Sequence, residues 1–528
     1  MPCDGGSMEV VMLDASSKQP SFFDTDQICK PLFPPESFWH QFRDLIYPLI
    51  NDEDYACMYC PDRGRPATSP AMLTMVTILQ RRENLSDREA EERVRYDLRW
   101  KYALGLEVND EGFDHSLLGK FRDRLLAHGK ERASFERLLE KLVEEQVLKP
   151  KEVQITDATQ LVADISIPNT LGVLWKANRS LLVSLKARGR KVSGIDIGEY
   201  QGEVRYERLS EDERRGKLVE LVEESRQLVA FVEAKGKKLP RSVRKKVEVL
   251  KRILGQRVEQ DDEGEVVERK GRVPDRIISP VDPEARWGRT GWRDARPGYK
   301  ANLMVSAKSQ FITNIRTIPA MAGEEEDTLA MVDEQHSLGL QPAKLLADAR
   351  YGSLKNLVGL KERGTTLVAP LKRRTRHYGN FGADEFTYLE SEGTVRCPAG
   401  KTARYRVQKA KGLLFRFAEE DCGACKLKER CIGGPRGARR RSVSLPYEHR
   451  ELDQVRDYMK TESFKEEMKR RRGIEPKIAE LVRWHGMRRA RYRGLRKVNL
   501  QCLFTALVVN IKRWFNLIRA RAPTLSPA

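Results

Sequence analysis

The chain has 528 residues, enough for more than one hydrophobic core, so two to four domains are expected. Lys and Arg number 97 against 77 Asp and Glu, and the net charge of +20 favours a polyanionic partner, nucleic acid first. No window holds 18 uninterrupted apolar residues, and the most apolar one, residues 498–514, contains four polar residues and is predicted to be a buried helix. The N-terminal sequence lacks both the basic start and the apolar stretch of an export signal. We therefore expect a cytoplasmic, nucleoid-associated protein without a membrane partner.

Residues 1–145 are predicted to form an all-helical domain, because three consecutive segments carry helix-start signals. The first begins at Ser69, the second at the capping box Ser86–Glu89, and the third after Asp114. The second helix is predicted to bury one stripe, formed by Ala90, Val94 and Leu98. Short turns between such helices indicate either a helix-turn-helix DNA-binding domain or an ordinary bundle used for packing or dimerisation.

From about residue 150 the hydrophobic pattern changes to period two, with Val153, Ile155 and Asp157 on one side of a predicted strand. Further segments with strand-like sequence lie at 301–318, 344–347 and 365–369, with helical segments between these strands. Alternating strands and helices predict an α/β catalytic core with a mixed sheet, assigned to residues 150–200 and 276–372.

The core is predicted to be interrupted by a highly charged helical insertion at residues 201–275. It opens with a capping box at Ser210–Glu213 and ends in a polar linker from residue 261. Such an arm could pair subunits or lie on DNA, and a solvated helical excursion is an equally good interpretation. A hydrophilic, cysteine-rich insertion follows at 373–435, and residues 436–528 complete the core with basic helices.

Three acidic residues are candidate catalytic residues because of their positions in the predicted strands and helices. Asp157 lies on the side of its strand that alternation predicts to be buried. Burial of a carboxylate costs free energy unless a compensating partner is present. Asp348 ends the apolar run of residues 345–347, at the carboxyl end of a strand where open α/β sheets collect their sites, and Ser353 is predicted to cap the helix that follows. Glu475 precedes Pro476 at a predicted helix start, which the helix dipole alone would also favour.

Several blocks of the sequence, in order, resemble bacterial insertion-sequence transposases of the IS eleven-eighty-two group. They read DLRWKYALGL, FDHSLLGKFRDRL, TDATQLVAD, DPEARWG, LLADARYGS and RRGIEPKIAEL, followed by HGMRRARYRGLRKVNLQCLFTALVVNIKR. The resemblance spans nearly the whole chain. It implies an RNase H-like core whose acidic triad falls on Asp157, Asp348 and Glu475 and binds two Mg²⁺ or Mn²⁺ ions.

The implied reaction is two-metal-ion hydrolysis at transposon ends, followed by attack of the released 3′ hydroxyl on target DNA. Hard carboxylate ligands suit these ions, and a pair of them can assist both the attacking and the leaving oxygen. Related transposases place Tyr, Arg and Lys around the glutamate. Here Arg471 matches the arginine, whereas Met468 and Val482 stand at the other two positions. The resemblance further implies a homodimer on paired DNA ends.

Other acidic residues are ranked below this triad. Asp164 follows Asp157 by seven residues, and the run from Glu324 to Asp327 is typical of a solvated helix start. Asp282, in the DPEAR segment, is a second-tier candidate because its neighbours predict a structured loop near DNA.

Four cysteines of the 373–435 insertion are candidate ligands of a structural zinc ion, with reduced, unligated thiols as the alternative. They are Cys397, Cys422, Cys425 and Cys431. Similar cysteines occur at this place in the resembling family. Cys57 and Cys60 also form a CxxC pair, but no second pair lies nearby in the sequence, so structural thiols are expected there.

Basic runs at 436–441, 469–472 and 488–497 bracket Glu475 and predict a phosphate-binding surface beside the acidic residues. The predicted DNA-binding residues are Arg471, Arg472, Arg488, Arg489, Arg491, Arg493, Arg496 and Lys497. Two alternatives to a transposase remain open: a metal-dependent nuclease without strand transfer, and an inactive DNA-binding regulator.

Overall fold

A computed structural model describes residues 11–13, 24–60, 65–202, 206, 209–271, 273–289, 295–371, 380–433 and 438–521. The N-terminal part contains β1 (Val11–Leu13), α1 (Thr25–Cys29), α2 (Phe38–Gln41), β2 (Arg65–Ala67), α3 (Pro70–Glu83), α4 (Asp87–Tyr96), α5 (Leu98–Leu104), α6 (Ser116–Ala127) and α7 (Ala133–Glu144).

The middle of the chain alternates strands and helices. Its elements are β3 (Gln154–Ala163), α8 (Thr170–Lys186), α9 (Glu211–Lys235), α10 (Arg241–Arg257), β4 (Val258–Gln260), β5 (Val266–Glu268), β6 (Arg286–Arg289), β7 (Ala295–Ser306), β8 (Ile312–Pro319), α11 (Thr328–His336), β9 (Lys344–Leu346), α12 (Leu354–Glu362) and β10 (Thr366–Val368).

The C-terminal third begins with short strands and ends in helices. Its elements are β11 (Thr387–Leu389), β12 (Thr394–Arg396), β13 (Tyr405–Lys409), β14 (Gly412–Arg416), α13 (Glu419–Gly423), α14 (Lys428–Ile432), β15 (Ser442–Leu445), α15 (His449–Tyr458), α16 (Glu462–Arg471), α17 (Ile474–Arg483), β16 (Arg489–Ala490) and α18 (Leu495–Arg521).

A curled mixed sheet organises the molecule, so the predicted α/β class is confirmed at this level. Its strand order is β10-β9-β3-β7, and β7 then pairs with both β6 and β8 along its length. Strands β10, β9 and β3 run parallel, whereas β3 and β7 are antiparallel, as are β7 and β8. Strand β3 therefore has a parallel neighbour on one side and an antiparallel neighbour on the other.

Helix α18 packs against β8 and explains the polar residues in its otherwise apolar sequence. The side-chain amide of Asn510 accepts from the backbone N–H of Ile312 and donates to its carbonyl, both at 2.8 Å. Asn499 accepts from the backbone N–H of Thr317 at 2.8 Å. These amides satisfy backbone groups along the edge of the sheet that no strand pairs. The predicted buried helix at residues 498–514 is confirmed.

One hydrophobic core joins the N-terminal helices, one face of the sheet and α18. It extends in sequence from Cys29 to Phe515. A second core lies within α8, α9 and α10 and extends from Leu171 to Ile277. Because α8 belongs to that second core, the helical unit begins at residue 170 rather than at 201. It closes with a hairpin of β4 and β5 instead of a polar linker.

The cysteine-rich segment has its own small core, formed by aromatic and aliphatic residues of β11 to β15. Strands β13, β14 and β15 make an antiparallel sheet, and β11 pairs with β12. Such a core is difficult to recognise in the sequence. Its few buried residues, among them Phe415 and Phe417, are separated by polar residues that are less buried.

Two N-terminal expectations need correction. The region is not entirely helical, since β1 pairs with β2 in parallel. Three-residue strands are set by tertiary pairing and leave no periodic signal. The stripe of α4 ends before Leu98, which is 42% exposed. Asp97 ends α4 in extended backbone and caps α5 by accepting from the N–H of Arg99, so Leu98 starts a new helix.

The helix starts predicted at Ser69, Ser86 and Ser210 are confirmed, and the last two form complete capping boxes. Within the described part of the chain, every helix is too short or too polar to cross a lipid bilayer.

Candidate active site

Two aspartates occupy matching positions on neighbouring parallel strands. In the register of β3 with β9, Ile155 pairs with Leu346. Asp157 stands two residues after the first of these and Asp348 two residues after the second. Because adjacent strands lie about 4.8 Å apart, equal offsets place both carboxyl groups at one level of the sheet. Asp348 lies past the end of β9, where the backbone leaves the sheet.

Asp157 is partly buried and meets charges of both signs. Its Oδ2 lies 3.2 Å from the guanidinium of Arg471, and its Oδ1 accepts from the N–H of Ala158 at 2.8 Å. Burial raises the pKa of Asp157, and the nearby charges of Asp348 and Glu324 raise it further, whereas the Ala158 N–H and Arg471 lower it. The net direction is upward. A bound cation would therefore relieve a real electrostatic cost at this carboxylate.

The turn after β9 holds the second aspartate in place. Oδ1 of Asp348 accepts from the N–H of Arg350 at 2.8 Å, and Ser353 caps α12 by accepting from the N–H of Asn356, as predicted for this serine. Gly352 has no room for a side chain, because a Cβ there would lie 2.1 Å from the carbonyl oxygen of Pro370. The turn is thus wedged between α12 and the segment that follows β10.

Glu475 is the second residue of α17 and is exposed. The start of this helix lies on β3, since a Cβ on Gly473 would come 3.5 Å from Cδ1 of Ile155. Among the described residues, however, the acidic groups that converge within 4.8 Å are two other clusters, Glu91–Asp114–His115 and Glu199–Glu220–Glu224. The register therefore brings Asp157 and Asp348 to one level, but Asp157, Asp348 and Glu475 do not all lie within 4.8 Å of one another.

Glu324 is a further carboxylate of this region, and it is buried, whereas the acidic run was predicted to be a solvated helix start. Its side chain is 8% exposed, and it forms ion pairs with Lys300 at 3.1 Å and with Arg350 at 2.5 Å. It also raises the pKa of the buried phenol of Tyr351, second to burial itself. An acidic run gives no local signal that one member is buried. Only the two distant cations, both brought in by tertiary contacts, distinguish Glu324 from its neighbours.

The remaining acidic candidates have different environments. Asp282 is buried, and both of its carboxylate oxygens accept from the hydroxyl of Tyr299, at 2.7 and 2.6 Å. The same carboxylate accepts from the N–H of Gly494 at 3.3 Å, which ties the DPEAR segment to the start of α18. The Asp282 carboxylate is thus hydrogen-bonded within the protein. Asp164 lies just beyond the end of β3 and is exposed.

The four cysteines of the insertion line a single cavity. The N–H groups of Leu427 and Arg441 each point at a sulfur, those of Cys425 and Cys422 respectively, at 3.4 Å. Burial raises the pKa of Cys431, and the other three sulfurs add to this while Arg441 lowers it. The sulfurs are thus neighbours, although no three of these four described residues lie within 4.8 Å of one another.

Many of the predicted DNA-binding side chains contact the protein itself. Arg488 donates to the carbonyl of Gln160 at 2.8 Å, and Arg491 to those of Asn84 and Leu85. Arg496 pairs with Glu131 and Lys497 with Asp123, which links α18 to the N-terminal helices. Three exposed side chains have no hydrogen-bond or ion-pair partner among the described residues: Arg472, Arg489 and Arg493. Part of the first basic run, residues 436 and 437, lies outside the described residues.

Two family models match the chain. Residues 396–515 match a model described as a transposase DDE domain, and residues 27–124 match one described as a transposase domain (DUF772). The first match includes the four cysteines and Glu475, whereas Asp157 and Asp348 lie outside both matches. No curated protein matches the chain significantly.

Among solved structures, a piggyBac transposase synaptic complex with hairpin DNA, determined by cryo-electron microscopy, is similar at 9% identity. The alignment covers 95% of this chain and 84% of that one, with a TM-score of 0.27. A TM-score of this size does not establish a common fold.

Proposed function

We propose that this chain is a transposase of the DDE type, which cleaves DNA at transposon ends and transfers the freed 3′ end into target DNA. The two transposase matches, over residues 27–124 and 396–515, support this proposal. The observation that carries the proposal is the pair Asp157 and Asp348 at one level of the sheet. The guanidinium of Arg471 forms an ion pair with Asp157. Asp157 stands on the central strand β3 of the mixed sheet and Asp348 just past the end of the neighbouring strand β9, which supports the RNase H-like interpretation. The IS eleven-eighty-two group remains a prediction.

Asp157 and Asp348 are the residues that we propose hold divalent ions, with Glu475 as the third ligand. The donor set fits Mg²⁺ or Mn²⁺, because carboxylate oxygens are hard ligands and because the pKa of Asp157 is raised by burial and like charge. When bound, a pair of such ions supplies activation of the attacking oxygen and stabilisation of the leaving oxygen.

Because Asp157, Asp348 and Glu475 do not all lie within 4.8 Å of one another, we propose that the start of α17 shifts when the ligand set closes. The break between α16 and α17, at residues 472–473, is where such a shift can occur, since it separates Arg471 from Glu475. Gly473, at this break, lies against β3, since a Cβ on it would come 3.5 Å from Cδ1 of Ile155. Binding of DNA and ions together is the event that we propose closes the set.

DNA is the proposed partner because the chain carries a net charge of +20 and because unpartnered arginines follow Glu475 or precede it closely in the sequence. Arg472, Arg489 and Arg493 are the best candidates for phosphate contacts, whereas Arg488, Arg491, Arg496 and Lys497 also hold the protein together. A homodimer on paired ends and association with the nucleoid remain proposals that follow from this role.

We also propose a structural zinc ion on Cys397, Cys422, Cys425 and Cys431. All four are free thiols that face one cavity, and four thiolates form the ligand set of a closed structural site. The N–H groups of Leu427 and Arg441 would stabilise the negative charge of ligated sulfur. A small contraction of the loops would complete the set, and it would stabilise a unit whose own core is small.

The test is Mg²⁺- or Mn²⁺-dependent cleavage and joining of the element's own end DNA. The variants Asp157→Asn, Asp348→Asn and Glu475→Gln should lose chemistry while retaining DNA binding. Asp164→Asn, an exposed aspartate just past the same strand, is the matched control and should stay active. Full activity in any of the three variants would remove that residue from the proposed set.

The alternatives give different results in the same assay. Cleavage without joining of a 3′ end would identify a nuclease. DNA binding by a wild-type chain that neither cuts nor joins, in the presence of either ion, would identify a regulator. Inverted repeats flanking the gene would support the transposase.

A further inference from the structure

Three acidic side chains converge in the helical unit formed by α8, α9 and α10, outside the candidate active site. Glu220 and Glu224 lie one turn apart on α9, and Glu199 belongs to the short 3₁₀ turn Ile197–Tyr200 that follows α8. One carboxylate oxygen from each lies within 4.8 Å of those from the other two. Like charges at this spacing repel one another, so the arrangement requires positive charge to hold it together.

The protein supplies only part of that charge. Lys217 forms an ion pair with Glu220, whereas Glu199 and Glu224 have no ion-pair partner within the described ranges. Burial raises the pKa of Glu224; a hydrogen bond from the hydroxyl of Tyr200 lowers it, Glu220 raises it, Lys217 lowers it and Glu199 raises it. The net direction is upward. Three carboxylates against one ammonium leave an excess of negative charge, which is the opposite of what a DNA-binding surface requires.

A buried hydroxyl beside these carboxylates points independently to a ligand. Tyr206 is 4% exposed, and its hydroxyl has no hydrogen-bond partner among the described residues. Burial raises the pKa of this phenol, and the charges of Glu220 and Glu224 raise it further, so the hydroxyl lies on the side of these two carboxylates. Buried hydroxyls are nearly always hydrogen-bonded. That of Tyr206 therefore indicates a partner that the described chain does not provide, such as water held by an ion.

The other acidic cluster, Glu91–Asp114–His115, differs in this respect. The backbone N–H of His115 donates to Glu91 at 3.0 Å, and its Nδ1 lies 3.0 Å from the same carboxylate oxygen. The guanidinium of Arg95 lies 3.6 Å from the other oxygen of Glu91. Protein groups thus satisfy the central carboxylate of this cluster, and nothing in it calls for an ion.

We propose that Glu199, Glu220 and Glu224 hold a divalent cation through oxygen ligands, with the hydroxyl of Tyr206 hydrogen-bonded to water on that ion. Carboxylate oxygens are preferred ligands of Ca²⁺, Mg²⁺ and Mn²⁺. Oxygens at about 2.3–2.6 Å from a Ca²⁺ ion can lie about 4.6–5.2 Å apart across it, so the observed spacing lets one such ion contact all three. The ion ties the turn at 197–200 to α9. The inference does not rest on the proposed function.

The test is Mn²⁺ binding to the full chain, measured by calorimetric titration in an Asp157→Asn/Asp348→Asn background that lacks the proposed active-site ligands. Roughly one Mn²⁺ should bind per chain, and whichever of Ca²⁺ and Mg²⁺ displaces it at the lower concentration is the ion that the site prefers. Glu224→Gln should weaken binding at least about 10-fold and Tyr206→Phe about 10- to 100-fold, the usual cost of removing a group that supports a metal's ligands. Glu211→Gln removes an exposed carboxylate at the start of the same helix and should bind as the background protein does.

Thermal unfolding separates an ion site from a hydroxyl that only supports the fold. In a chelator, Tyr206→Phe should melt at the temperature of the background protein or above it, because the variant removes a buried hydroxyl without a partner. With Mn²⁺ at about 100 times its dissociation constant, the background protein should melt a few degrees higher, and Glu224→Gln and Tyr206→Phe should gain less.

Four results would each overturn the proposal. They are absence of Mn²⁺ binding, Mn²⁺ that neither Ca²⁺ nor Mg²⁺ displaces, unchanged binding in Glu224→Gln, and a lower melting temperature of Tyr206→Phe in the chelator. The last would show that the hydroxyl already has a partner in the protein.

Discussion

The guanidinium of Arg471 lies 3.2 Å from the carboxylate of Asp157, although 313 residues separate the two in the chain. Arg471 is the last residue of α16, and Asp157 is the fourth residue of β3. The contact joins the helix pair that carries Glu475 to the strand that carries the first aspartate. Arg471 is therefore the positively charged partner of the Asp157 carboxylate in this structure.

Replacing Arg471 should separate ion binding from chemistry. In Arg471→Ala the carboxylate of Asp157 loses its cation, so Mn²⁺ should bind at least as tightly as in the wild type, because a neighbouring positive charge no longer opposes it. Cleavage should fall about 100-fold, since a cation that can contact the reacting phosphate is missing. Calorimetric titration with Mn²⁺ and cleavage rates check this. Arg470→Ala, an exposed neighbour, is the control; weaker Mn²⁺ binding with normal cleavage would contradict the prediction.

Removing one proposed zinc ligand should release the metal. The purified wild type is expected to carry roughly one zinc ion per chain, measured by elemental analysis, because four thiolates form a closed structural site. Cys425→Ser should lower that content to near zero and lower the melting temperature. Cys57→Ser changes an exposed cysteine outside the insertion and should alter neither quantity. A zinc-free wild type that resists thermal unfolding equally well with and without added zinc would refute the site.

The turn that carries Asp348 should not tolerate a side chain at Gly352. In Gly352→Ala the new Cβ would meet the carbonyl oxygen of Pro370, so the turn must shift and carry Asp348 with it. A displacement of about 1 Å at a reacting centre can cost about 100-fold in rate. The matched control is Gly216→Ala in α9, where nothing lies within 4 Å of the new Cβ. It should raise the free energy of unfolding by about 0.5–1 kcal/mol and leave cleavage unchanged.

His485 should make the protein sensitive to mild acid. It is buried, and burial, followed by the nearby Lys512, lowers its pKa from 6.5 to about 4. Between these values the unfolded chain binds a proton that the folded chain does not. The free energy of unfolding therefore falls by about 1.4 kcal/mol per pH unit as the pH drops through this window.

Urea unfolding at pH 7 and pH 5 measures this loss. His485→Gln lacks the titrating group, so its free energy of unfolding should differ less between the two pH values than that of the wild type. An equal difference in both proteins would mean that other groups cause the acid sensitivity.

Local chemistry in the sequence predicts where many helices begin. Ser69, Ser86, Ser210 and Ser353 each cap the helix expected after them, because a cap depends on residues within one turn. The apolar and amide pattern of residues 498–514 likewise predicts a buried helix. Hydrophobic alternation correctly predicts a strand through Ile155 and Asp157, and the sequence blocks that resemble transposases agree with the family matches.

Tertiary structure alone decides which of these residues meet. Glu324 is buried because Lys300 and Arg350 converge on it, and Asn510 is buried because an unpaired strand edge lies against it. Leu98 is exposed because Asp97 ends one helix and caps the next. The sequence by itself determined the helix starts, the strand of Asp157 and the excess of positive charge, since each depends on near neighbours or on composition. The level shared by Asp157 and Asp348 and the contact of Arg471 depend on strand register and helix packing, which join residues hundreds of positions apart.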